Sequence, residues 1–473
     1  MSVLVMGLAL SVVCLIPTAS ATTSVATTTT LSASATTSTY DSPILFTAKV
    51  SALAAFPSGT VTFVDTSNGS VLGSVALGAG KAALETAALA PGSRSIVARF
   101  DGNPTFTRSR SASLDISVSP LNVATSEQIG STHAGAQPGM NLALASLRKR
   151  WSVTPGGASG SGLSYPIIAD HRVFTSSAGG TGTIYALDAA TGATDWFSSV
   201  SSSYGLAGLT YDGQRLFALT SEGVLIAFDA GSGHEDWAEQ LPRQYSFSAA
   251  PTAYDGVVYA SGAGLAGTVY AVSEATGIVH WTQSVENGDD SSPAVNHNGV
   301  FVSYACQQDY RFLISGAAVW HDSGNCEGGG GGGVALYGGS VYALGFPPID
   351  TPFVLTQASG KKIATFSSNS MPAFGQSNMY VRLTGNLLAV DPSGSPDRWI
   401  YGQGTFVTAP VTDQKTVFIG AANGTVSGVS STGKLVWRGV AGTSMLGGTS
   451  TGLALGQGLL VAPAAATITA FGG

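Results

Sequence analysis

Thr183 to Trp196, TIYALDAATGATDW, is the stretch on which the reading of this chain turns. It holds a short run with alternating side chains, a tight turn, and a second run closed by an indole. Asp188 and Gly192 carry the turn chemistry, since a carboxylate accepts backbone N–H bonds and glycine takes positive φ without strain. The chain writes the same text again as VLIAFDAGSGHEDW ending at Trp237, TVYAVSEATGIVHW ending at Trp281, NLLAVDPSGSPDRW ending at Trp399 and TVSGVSSTGKLVW ending at Trp437. Two weaker copies end at Trp320 and Phe366.

A second count comes from the strand that precedes each hairpin. Val173-Phe174, Leu216-Phe217, Val258-Tyr259, Val300-Phe301, Val341-Tyr342, Met379-Tyr380, Val417-Phe418 and Leu459-Leu460 hold one equivalent position, spaced by 43, 42, 42, 41, 38, 38 and 42 residues. A period of roughly 40 residues with four short strands per unit predicts a β-propeller, here with eight blades. The last hairpin strand, Ile468 to Phe471, runs out of chain before its partner, and Trp151 lies where a missing strand is needed. The ring is therefore expected to close by pairing the N- and C-terminal strands of the domain, which removes the exposed edges of an open array.

Upstream the text changes. ILFTAKVSA, GTVTFVD, SVLGSVAL, KAALETAAL, RSIVARF and SASLDISVS are alternating runs broken by Gly, Pro, Asn or Asp, the pattern of an immunoglobulin-type β-sandwich. PSGTVTFVD with LAPGSRSIVARFDGNPTFTRSRSASLDISV resembles the bacterial Ig-like repeat domain of secreted and cell-surface proteins, a resemblance that implies a spacer or adhesion role. The chain thus divides into an export signal over 1–21, an Ig-like sandwich with a Ser/Thr-rich leader over 22–120, a linker over 121–150 and a propeller over 151–473. The expected fold class is all-β.

The signal rests on the apolar run Met1 to Pro17 followed by Ala19-Ser20-Ala21. No Lys or Arg precedes that run, so a start further upstream and an uncleaved anchor are the alternatives. Cys14 invites a lipoprotein reading, which Val13 before it disfavours. With the signal removed, Cys306 and Cys326 are the remaining thiols, and an exported protein with two cysteines is expected to pair them, for about 3 kcal/mol in the chain-entropy account. With 20 basic against 27 acidic side chains, a net charge of −7 and no basic block, the chain offers nucleic acid no electrostatic footprint. Beyond the signal no apolar run is long enough to span a membrane.

The repeats resemble the quinoprotein-type, pyrroloquinoline-quinone-like propeller, through [VI]-Y-A-[LV]-D-x-x-T-G-x-x-x-W as it stands at Ile184 to Trp196. That family includes quinone-dependent dehydrogenases, outer-membrane assembly lipoproteins and secreted binders. In it the repeated Trp151, Trp196, Trp237, Trp281, Trp320, Trp399 and Trp437 are expected to dock one blade on the next. Propeller sites form at one mouth of the central channel. Here the unit around Phe301 is expected to bring Glu286 to Asp290, Cys306 to Arg311 and His321 to Glu327 to one face, with Asp289, Asp290, Asp309, Arg311 and Asp322 as candidate ligand residues and a Cys306–Cys326 disulfide beside them.

Catalytic signatures are thin. No G-x-S-x-G or H-E-x-x-H occurs, the histidines at 133, 171, 234, 280, 297 and 321 are scattered, and Gly328 to Gly333 lack the Lys-Ser/Thr ending of a phosphate loop. No D-x-D-x-D-G calcium loop and no adjacent cysteines are present. The expected role is a secreted or cell-surface, non-catalytic, monomeric propeller that binds protein or glycan, without cofactor or metal. A quinone- and calcium-dependent oxidoreductase of sugars or alcohols is the first alternative, and an outer-membrane assembly scaffold the second.

Overall fold

The computed structural model describes residues 24–473 apart from 40–41, 54–55, 68, 88, 90–91, 120–121, 158–161, 178–181, 265, 287, 325–330, 346–350, 395, 403, 414 and 448–450. The stretch 1–21, expected to be an export signal, and Cys326 therefore lie outside the described residues. The chain forms two compact units, 1–120 and 121–473.

The first unit is a sandwich of two sheets. Thr27–Ala33, Ile44–Ala52 and Lys81–Thr86 form one. Gly92–Phe100 centres the other, flanked by Thr60–Asp65 and Leu114–Ser119, with Thr37–Thr39 added in parallel. Strict alternation along Ile44–Ala52 turns Ile44, Phe46, Ala48 and Val50 inward. Phe46 meets Phe63 of the opposite sheet, ring centroids 6.5 Å apart.

In the second unit the described residues form eight four-stranded antiparallel sheets in succession, the blades of a propeller. Blade 1 consists of Ile167–Ala169, Arg172–Ser176, Gly182–Asp188 and Thr194–Val200, from the inside outward. Blades 2 to 7 follow at 206–240, 252–285, 294–323, 334–365, 373–401 and 411–440. Blade 8 combines Ala454–Gly456, Leu459–Ala464 and Thr467–Gly472 with an outer strand from the other end of the unit, Arg148–Val153. Trp151 faces Ala470 in that pair, so the ring closes by joining its two ends.

One contact recurs from blade to blade. The indoles of Trp151, Trp196, Trp237, Trp281, Trp320 and Trp399 each donate to a carbonyl in the outer hairpin of the following blade, and Trp437 donates to Leu147, with N···O distances of 2.8–3.2 Å. The hairpin glycines 192, 233, 277, 316, 360 and 433 lie flat on the six preceding indoles. Each has φ between +68° and +90°, and a Cβ there would come within 2.6–2.9 Å of the ring. The Thr-Gly text of the repeat thus has two causes, a left-handed turn and a face with no room for a side chain. In blade 5 the register puts Ala364, opposite Val354, where the other blades carry the indole; Phe366, at which the weaker sequence copy ends, lies two residues further on, buried against Tyr342.

Candidate functional site

Successive antiparallel strands put all turns between first and second, and between third and fourth, at one end of a blade. The connections from blade to blade and the second-to-third loops lie at the other end and form the rim of the channel mouth.

The connector between sandwich and propeller closes the far end of the channel. Ala124 pairs with Ile168 of blade 1 through two backbone bonds of 2.8 and 2.9 Å. The carbonyls of Thr125, Ser131, Thr132, Ala134 and Gly135 accept from Tyr211, Val295, Leu336, Phe374 and Thr412, on the inner strands of blades 2, 4, 5, 6 and 7, at 2.7–3.0 Å. On blade 8, Gln137 donates its side-chain amide to Leu455 O at 3.0 Å, and Asn122 O accepts from Gln457 N at 2.8 Å. Blade 3 is reached by a side chain: His133 contacts Thr252 Oγ1 at 3.2 Å and Val334 O of blade 5 at 3.1 Å. Every inner strand is thereby tied to a segment that belongs to no blade. Its shape is irregular, with Gln128, Ile129 and His133 at φ of 52°, 82° and 51°, conformations costing about 1–3 kcal/mol each that persist only where surroundings enforce them.

Above this plug the channel holds two adjoining cavities. The larger, about 160 Å³, is lined by Glu127, His133 and Tyr165, by Ser248 to Ala250 and Asp290 to Ser292 on two blade-to-blade connections, and by Gly331, Gly333 and Met371 among others. The smaller, about 100 Å³, shares Glu127, Tyr165 and Met371 and adds Gln128 and Arg382.

The electrostatics follow from burial. Glu127 has no hydrogen-bond or ion-pair partner among the described residues, and desolvation pushes its carboxyl up to about 8. Asp290 is pushed up to about 6 by burial, against the pull of the Ser248 hydroxyl and amide that bond it. Burial holds His133 down at about 4, against the pull of its Val334 bond, so the ring is neutral. Nδ1 then donates to the Val334 carbonyl, which only accepts, and Nε2 accepts from Thr252. The Tyr165 hydroxyl both donates to Leu209 O and accepts from Leu209 N; burial raises it far above the ordinary phenol value, and Glu127 adds to the shift.

Of the five candidate ligand residues, Asp290 lines the channel. Asp289 is exposed at the mouth, with φ of 53°. Asp309 and Asp322 face each other across blade 4. Asp309 is 1% exposed, and burial, against the pull of the Ser303 hydroxyl and with the charge of Asp322 adding, pushes it up to about 7. Arg311 points the other way. Its guanidinium donates to Asn298 O, Gln357 O and Ala358 O, all in turns at the far end, so it clamps blade 4 to blade 5 rather than joining the mouth. Its place as the fourth of the five residues of Gln308–Phe312, beside the far-end turn and away from the mouth loop, is the reason. The expected Cys306–Cys326 disulfide involves Cys326, outside the described residues. Cys306 itself is buried.

Sequence alone does not bring Glu127 and His133 to the site, because nothing in their surroundings repeats. One signal is available: an ordered stretch of some thirty residues without period is uncommon in a compact domain unless it has a task.

A family model described as bacterial Ig-like domain (group 3) matches residues 29–119. One described as outer membrane protein assembly factor BamB matches residues 141–316 and 353–471. Among solved structures the chain is similar to BamB from Moraxella catarrhalis, at 16% identity and a TM-score of 0.56, over 69% of this chain and 100% of that one. It is similar to quinohemoprotein alcohol dehydrogenase from Comamonas testosteroni, at 14% identity and 0.61, over 74% and 80%. It is also similar to the computationally designed Ika8 protein, at 16% identity and 0.57, over 67% and 97%. An assembly factor, a dehydrogenase and a designed protein on the same footing make these likenesses of fold alone. No curated protein matches the chain by sequence.

Proposed function

The chain belongs to the family described as outer membrane protein assembly factor BamB, and on that premise we propose that it is an exported, non-catalytic binding protein whose channel mouth receives a protein partner. The observation that carries this reading is the rim. Tyr204 and Tyr245, on the connections entering blades 2 and 3, are 79% and 66% exposed, and Leu446, entering blade 8, is exposed too. Tyrosines held out to solvent are common anchors of protein interfaces, offering large area at low entropic cost. Glu222 fixes the loop under Tyr204, accepting from Ser202 Oγ and from the amides of Ser203 and Tyr204. The Ig-like unit acts as the spacer, and Cys306 pairs with Cys326 after export; peptide mapping without reductant tests that bond.

The quinone reading meets a mismatch of charge. Pyrroloquinoline quinone is a tricarboxylate, and the larger cavity offers it the carboxyls of Glu127 and Asp290, a neutral His133 and no lysine or arginine. Among the described residues no group of three or more His, Cys, Asp or Glu is arranged to hold a metal ion. The residues present do not fit that cofactor, and no chemistry is derived through it.

A photo-crosslinking residue placed at Tyr245, at Tyr204 or at Ile278 tests the reading in the cells that make the protein. Ile278 is 65% exposed but sits in a third-to-fourth turn at the far end. Discrete adducts from the two rim positions and none from Ile278 are expected. Adducts from Ile278 alone overturn the proposal.

A further inference from the structure

We propose that the cavity above the plug binds an alkylammonium group, the chemistry shared by a lysine side chain and a small free amine, with Glu127 as counter-ion at the floor and Asp290 on the wall. The inference deepens the binding reading and rests on it for the direction of entry.

The charge inventory carries the argument. Glu127 and Asp290 face the larger cavity, and no lysine or arginine does. His133 has both ring nitrogens engaged and stays neutral, and Tyr165 has its hydroxyl committed to Leu209. Arg382 lines the adjoining cavity that Glu127 shares. It makes no ion pair with Glu127; its guanidinium donates to Asn369 O at 2.6 Å and leaves Nε without a partner. A cavity-lining carboxylate with no ion pair and no hydrogen bond of its own is costly. An ammonium entering from the mouth removes that cost and brings three donors. An anionic ligand adds to the repulsion, and an uncharged one leaves the carboxylate as it was.

The site is a cup rather than a tunnel. The plug seals the far end, so a ligand enters and leaves past the rim tyrosines. Ser248, Ser291 and Ser292 line the wall between mouth and floor and present hydroxyl oxygens, even though Ser292 and Ser291 donate elsewhere, to Ala250 O and Ser303 O. Other buried carboxyls of the propeller lack this setting. Asp309 and Glu274 line neither cavity and sit between packed blades.

Binding requires Glu127 to ionise, so it is linked to proton release and tightens with rising pH. Titration calorimetry of the whole chain with n-butylammonium, n-butanol and butyrate, at pH 6 and pH 9, tests this. An alkylammonium stays charged at both values. Butylammonium is expected to bind, at least tenfold tighter at pH 9, with neither isostere binding detectably. Glu127→Gln is expected to lose at least tenfold in affinity while its circular dichroism melt shows a folded protein. Asp290→Asn is the second variant, with a smaller loss. A peptide carrying one central lysine, compared with the same peptide acetylated on it, separates a protein side chain from a free amine as the source. Equal binding of butanol or butyrate, no binding of butylammonium, or affinity unchanged in Glu127→Gln each overturn the proposal. If butylammonium fails while the rim still crosslinks, the binding face stands and the cation chemistry falls.

Discussion

Around the circumference of the propeller one contact is used again and again: an indole donates to a hairpin carbonyl and a bare glycine lies on its face. At the axis nothing repeats. Eight inner strands are met by one irregular segment, backbone to backbone at most blades, with an imidazole at blade 3 and a side-chain amide added at blade 8. The repeated contact is missing once, at blade 5, where Ala364 stands in place of the indole and the neighbouring joints carry the ring. The axial contacts all rest on one segment, and the chemistry of the molecule gathers there.

The sharpest way to test that contrast is to damage each region once. Gly233→Val places branched carbons where a Cβ already comes 2.6 Å from Trp196, at a φ of +73°. A loss of about 3–5 kcal/mol in denaturant unfolding is expected, with Trp196→Ala close behind. The same change at Gly394, which lies against Thr365 O and Ala364 of blade 5 instead of an indole, probes the weakened joint.

At the axis, His133→Gln is expected to cost about 2–4 kcal/mol at neutral pH, because the Val334 carbonyl and Thr252 hydroxyl lose their partner in a buried setting. The wild-type ring is held near 4 against an ordinary 6.5. Between those values the unfolded chain binds a proton that the folded one refuses, so wild-type stability rises with pH across that window and is lost as pH falls. The variant flattens this slope. An unchanged slope would remove His133 from the account.

Glu127→Gln moves stability the other way. The folded carboxyl keeps its proton up to about 8 whereas the unfolded one releases it near 4.5, so wild-type stability falls as pH rises between the two. The variant is expected to equal the wild type near pH 4.5 and to exceed it by about 1–3 kcal/mol at pH 9, discounted for water in the cavity. Arg311→Lys gives up the fork that spans three carbonyls, for about 1 kcal/mol. Tyr245→Ala is expected to change stability by less than about 0.5 kcal/mol and to act on partner binding alone.

These tests follow the line between what the text of the chain reveals and what it conceals. The unit around Trp196, the turn at Asp188 to Gly192 and the closing role of the Trp151 strand are readable, because each is a local rule copied many times. The alternation along Ile44–Ala52 makes the sandwich readable in the same way. Asp290 is reached by placing its loop at the mouth. Arg311 is misplaced by the same reasoning, because Cys306 to Arg311 is read as loop whereas Gln308–Phe312 is strand and carries Arg311 to the far end. Glu127 and His133 escape it because the blades that His133 ties together lie up to two hundred residues away in the sequence, and no periodic signal connects them.

The closing strand sets an order of events. Trp151 pairs with Ala470, and the indole of Trp437 bonds to Leu147, so the first strand of the propeller waits for the last one before its edge is covered. On a chain emerging from a ribosome or threading a translocon, the blades between them can form locally and early. The ring itself stays an open arc, with two unpaired edges, until Thr467–Gly472 arrives. Closure is thus the latest step of assembly. It is also the moment at which the channel first has a floor and a complete wall, so the cup comes into existence only once Thr467–Gly472 has been added.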